Sequence, residues 1–138
     1  MAKRRRGARS AGARSRSTRH RPFKSLVERA LAAIPEPFAS ALDEVAIVID
    51  DEPTADQRRE NELADDDTLY GLYEGVPRTE WGADWAAMPN RITLFRLPLE
   101  ADFADPDELA DEVWATVIHE LAHHLGIDDE RLEELGVD

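Results

Sequence analysis

Apolar residues recur at steps of four along Leu109, Val113, Val117 and Leu121, with Trp114, Ile118 and Leu125 widening the stripe. That period predicts one long amphipathic helix. Its ends are marked independently of the stripe. Asp105 is a good N-cap, Pro106 suits the first helical position and Glu108 completes a capping-box pattern, while Gly126 suits a left-handed C-terminal turn. A second apolar face, made by Leu26, Val27, Ala30, Leu31 and Ile34, predicts a helix opened by Ser25 and Glu28 and stopped by Pro35.

Shorter runs read differently. Val45-Ala46-Ile47-Val48-Ile49 is continuous and β-branched, which predicts a buried strand. Leu69 to Glu74 is a second strand, and the alternation from Ile92 to Leu97 a third, closed by Pro98. Between the first two, Asp50 to Asp67 is polar and acidic. Its spacing does not match a calcium-binding EF-hand, so a solvated loop is expected. Gly75 and Pro77 open a long connection, in which Trp81 and Trp85 are expected to cap the core. Glu130 to Leu135 allows one or two helical turns before Gly136. These elements predict an α+β fold in which a small mixed β-sheet packs against the long C-terminal helix.

Charge divides the chain in two. Nine of the seventeen basic residues lie within residues 1–22, and none of the thirty acidic residues does. The Arg- and Ser-rich arm over 1–22 has almost nothing to bury and is expected to be disordered. It precedes a single domain over 23–138. Such an arm can contact nucleic acid or an anionic surface weakly through phosphates, or fold back on the acidic body. It has no interleaved aromatic residues to stack on bases. His20 belongs to it and is not expected to be a ligand. There is no cysteine, no apolar run of membrane-spanning length and no signal-peptide core after Arg4-Arg5-Arg6. A cytoplasmic protein is expected.

The long helix carries the chemistry. His119-Glu120-Leu121-Ala122-His123 is HExxH, in which histidines four apart face one side of a helix and the glutamate stands beside a metal-held water. This is the spacing of a zinc hydrolase. Two imidazoles need a third protein ligand to make a catalytic zinc site with one open position. The turn at Gly126 can bring round Asp128 or Asp129, and Glu130 is a further candidate. His124 lies about a third of a turn from His123 and is expected to pack or to face solvent, with a role behind the ligands also open.

His119 to Asp129 as a whole reads HExxHxxGxxD, which is similar to the metzincin clan of zinc peptidases, with aspartate where many members have a third histidine. The chain resembles more closely a small bacterial family of minimal zincin-like metallopeptidases. The resemblance runs through Leu72-Tyr73-Glu74-Gly75-Val76-Pro77, Arg91-Ile92-Thr93-Leu94-Phe95-Arg96 and Thr116-Val117-Ile118, and covers about residues 42–136. It implies His119, His123 and Asp129 as metal ligands, Glu120 as the catalytic carboxylate, and a peptide or protein as substrate. It also implies that the strand at Ile92 or the one at Leu69–Glu74 holds an extended substrate along a sheet edge; the plain alternative is an internal strand. The wider clan's methionine turn has no counterpart, because no methionine follows Asp129 and Met88 lies upstream. With an aspartate ligand the ion is a weaker Lewis acid than with three histidines, and other divalent metals such as manganese are tolerated more readily. For the oxyanion, Tyr73 and Arg131 are both candidates.

Two rival readings stand beside the peptidase. Metal-dependent endoribonucleases that process ribosomal RNA have a similar pair of histidines, a glycine, and a histidine where this chain has Asp129. They look to have glycine in place of Glu120, and an acidic body suits a polyanion poorly. The other rival is a non-catalytic interaction module stabilised by the metal.

Overall fold

The computed structural model describes residues 2–6, 16–75 and 90–137. In chain order these form β1 (Ala2–Arg6), α1 (Arg16–Ala32), α2 (Phe38–Ala41) running into a 3-10 turn (Leu42–Glu44), β2 (Ala46–Asp50), α3 (Ala55–Glu60), β3 (Asp67–Glu74), β4 (Arg91–Phe95), α4 (Arg96–Asp102), α5 (Pro106–Leu125) and α6 (Asp129–Glu134). The expected α+β class is the one observed. The mixed sheet has the order β1-β3-β4-β2, with β1 and β4 antiparallel to β3 and β2 parallel to β4. Among the described residues, no helix is long and apolar enough to cross a membrane.

The helix α5 is built as its sequence dictates. Asp105 accepts a hydrogen bond from the Glu108 N–H, Pro106 takes the first turn, and Gly126 ends the helix with φ 72° and ψ 28°. Leu109, Val113, Val117 and Leu121 are all buried, and they share the main core with Phe23, Val27 and Ala30 of α1 and with Ile34 just beyond it. The Trp114 indole closes that helix pair by donating to the Ala33 carbonyl at 3.2 Å.

Several elements differ from expectation. Ser25 does not open α1, because the buried stripe already starts at Phe23, upstream of the capping pattern. The acidic loop includes α3, opened by a capping box in which Thr54 and Gln57 satisfy one another's backbone N–H groups. β2 is half-exposed rather than fully buried, since it lies at an edge of the sheet. The third strand stops at Phe95, and Pro98 sits in the first turn of α4, where its missing N–H would have no helical partner. The strands expected to offer a sheet edge are both internal: β4 lies between β3 and β2, and β3 between β1 and β4. Trp81 and Trp85 lie outside the described residues.

β3 brings the sheet onto α5. Its pairing with β1 steps from Gly71 to Leu69 and skips Tyr70. This bulge breaks the alternation of faces. Tyr70 and Tyr73 consequently belong to the main core, and Leu69 and Leu72 to a small cluster with Phe95. Gly71 makes close approach feasible: a Cβ there would lie 2.5 Å from the Thr116 methyl of α5. Arg96, fully buried, pins the end of β4 through Asp51 at 2.9 Å and Glu100 at 2.8 Å.

Candidate metal centre

His119, Glu120, His123 and His124 occupy the last two turns of α5, so one helix positions all four. His119 and His123, both half-buried, share a face by their four-residue spacing. The His119 Nδ1 lies 2.8 Å from the Ala115 carbonyl one turn back. A carbonyl only accepts, so Nδ1 carries the hydrogen and the neutral ring has its lone pair on Nε2. Metal-binding histidines are commonly oriented by such a bond.

Glu120 is buried, with 2% of its surface exposed. Its Oε1 accepts from the backbone N–H of Tyr73 at 3.0 Å. Tyr73 stands opposite Ile92 of β4, and its amide is satisfied by this carboxylate. Tyr73 also reaches the histidines. Its ring meets that of His123 edge-on, with centroids 5.0 Å apart and planes at 68°. Its hydroxyl is 2.9 Å from the His124 Nδ1.

His124 packs, as one branch of the sequence reading has it, and is fully buried. Its Nε2 is 2.8 Å from Glu44 Oε1, on the 3-10 turn before β2. A carboxylate accepts, so Nε2–H donates to Glu44, and Nδ1 faces the Tyr73 hydroxyl. Glu44 escapes sequence reasoning because 80 positions separate it from His124 and no motif surrounds it.

The acidic candidates lie beyond Gly126. Asp128 caps α6 by accepting from the Arg131 N–H at 2.9 Å, and Asp129 begins that helix, exposed, followed by exposed Glu130. Among the described residues, no three His, Asp or Glu side chains are gathered closely enough to hold a metal. The structure thus puts the two histidines one turn apart on α5 and Asp129 at the exposed start of α6. In kind, two neutral imidazoles and a carboxylate suit zinc. Of the oxyanion candidates, the Tyr73 hydroxyl is bonded to His124, and Arg131 is exposed and reaches Glu134 at 3.4 Å.

A family model described as a zincin-like metallopeptidase matches residues 42–137. Those residues span the 3-10 turn, the sheet from β2 onward and the whole of α5 and α6. Among solved structures, a conserved hypothetical protein from Thermo thermophilus is similar, with 26% identity over 85% of this chain and 96% of that one, at a TM-score of 0.49. No curated protein matches.

Proposed function

Since the chain belongs to the zincin-like metallopeptidase family, we propose that it hydrolyses peptide bonds, with Glu120 as general base and His119, His123 and Asp129 as the residues that would hold zinc. The observation that carries this reading is the pairing of the His119 tautomer with a buried carboxylate one residue on. When bound, the ion supplies Lewis acidity, which makes a water nucleophilic near neutral pH and polarises the scissile carbonyl. Glu120 takes a proton from the attacking water and returns one to the departing amine, so that a C–O bond forms as the C–N bond breaks. The bond from Tyr73 fixes one carboxylate oxygen, which orients the other. The substrate is a peptide or protein, and the basic arm is an accessory contact to anionic surfaces.

The exposed place of Asp129 favours a second reading, in which the metal stabilises a non-catalytic module. Glu120→Gln separates the two. Under the peptidase reading, the full chain keeps its zinc, measured by metal analysis after purification without chelator, and loses cleavage of a peptide library. A wild-type chain that binds zinc and cleaves no peptide supports the second reading. Metal-dependent cleavage of RNA by the same preparation would instead revive the nuclease.

A further inference from the structure

His124 is not used by the mechanism above, yet it is one of the most completely buried polar side chains in the molecule, with both ring nitrogens within hydrogen-bond distance of a partner. Burying an imidazole in this way costs desolvation unless each nitrogen is satisfied. The partners come from two distant elements, the 3-10 turn and β3. Tyr73, at the far end of the chain of bonds, touches both working groups of the site. Its amide holds Glu120, and its ring lies against His123. A residue serving only to fill the core would need neither contact.

We propose that Glu44, His124 and Tyr73 form a positioning chain, in which Glu44 fixes the His124 ring, His124 fixes the Tyr73 hydroxyl, and Tyr73 sets the His123 ring and the Glu120 carboxylate. These are positioning residues, not catalytic ones. The inference rests on the metallopeptidase reading only for what is being positioned. Chemistry fixes the first bond and suits the second: Glu44 accepts from the His124 Nε2–H, and the Tyr73 hydroxyl, which can donate or accept, meets Nδ1. A phenylalanine at position 73 would keep the ring and lose the tether. A glutamine at position 44 would keep an accepting oxygen.

The test compares full-length wild type, Tyr73→Phe, Glu44→Ala and Glu44→Gln. Zinc affinity is read by competition with a chromophoric chelator, thermal unfolding by circular dichroism, and the His123 ring protons by NMR of the metal-free protein. Groups that orient metal-binding histidines typically change affinity by about 10–100-fold when lost. Tyr73→Phe and Glu44→Ala are therefore expected to weaken zinc binding by about tenfold or more, with Glu44→Gln recovering most of the loss. In the metal-free wild type the His123 protons should carry the ring-current shift of Tyr73, and Glu44→Ala should diminish it. Unchanged zinc affinity and an unchanged His123 shift, with only a lower Tm, would overturn the proposal. If Glu44→Ala fails to fold, Tyr73→Phe and Glu44→Gln decide by the same readouts. A wild type that binds no zinc defeats the metallopeptidase reading alone, since the NMR comparison still reports on the chain.

Discussion

The backbone N–H of Tyr73 donates to the side chain of Glu120 at 3.0 Å, joining the end of β3 to the glutamate of the HExxH motif. One carboxylate thus serves the fold and, in the proposed mechanism, the chemistry. Glutamine retains an accepting oxygen and alanine does not. Glu120→Ala should cost about 1–3 kcal/mol of stability through the orphaned buried amide, while Glu120→Gln stays close to wild type. Urea unfolding of the metal-free variants measures the difference, and equal stabilities would deny the carboxylate its structural part.

Gly71 sets how closely β3 approaches α5. The Cβ of an alanine there would collide with the Thr116 methyl, which is buried and cannot swing away. Gly71→Ala should destabilise by about 1–3 kcal/mol, as overpacked cores do, and should reduce activity by shifting the Tyr73 amide. Thr116→Ser removes the offending methyl, so the double variant should regain much of both. A double-mutant cycle of folding free energies reads this coupling, and simple additivity would show that the two residues do not meet.

Asp128 and Asp129 are neighbours to which the proposed mechanism gives separate tasks. Asp128 caps α6, so Asp128→Ala should cost about 0.5–2 kcal/mol of stability and leave zinc affinity nearly intact. Asp129→Ala should do the reverse, since its side chain is exposed and is the proposed third ligand. Chelator competition beside thermal melts separates the pair. Zinc affinity lost in the Asp128 variant alone would transfer the ligand role to that residue.

Glu36 gives a pH signature unconnected with the metal. Its carboxylate accepts from the Ser40 hydroxyl at 2.8 Å and the Ser40 amide at 2.9 Å, and these bonds hold its pKa below the ordinary value of 4.5. A lowered folded pKa gives stability that is present above the unfolded pKa and lost as pH falls through the folded one. Carbon-detected NMR titration should show the Glu36 midpoint returning toward 4.5 in Ser40→Ala. An identical midpoint in both proteins would remove Ser40 as the cause.

What the residues reveal in advance depends on distance along the chain. The helix α5 is readable because its stripe, its N-cap and its terminal glycine are all local signals. The HExxH spacing lies within it. Pro98 misleads because a proline that ends a strand and one in the first turn of a helix look alike in sequence. Thr54 and Gln57 form a capping box hidden in an acidic stretch with almost no apolar period. The assignment of open edges to β3 and β4 needs the pairing of β2 and β1, which no local pattern encodes. Glu44 and Tyr73 meet His124 across 80 and 51 positions, so their convergence is a property of the assembled sheet and helix.

The bond from His119 to Ala115 closes within one helical turn, whereas those of Glu120 and His124 wait on β3 and the 3-10 turn. Local contacts form early in folding and distant ones late. The His119 ring is accordingly oriented by the helix alone, while the Glu120 carboxylate is seated only where the sheet meets α5.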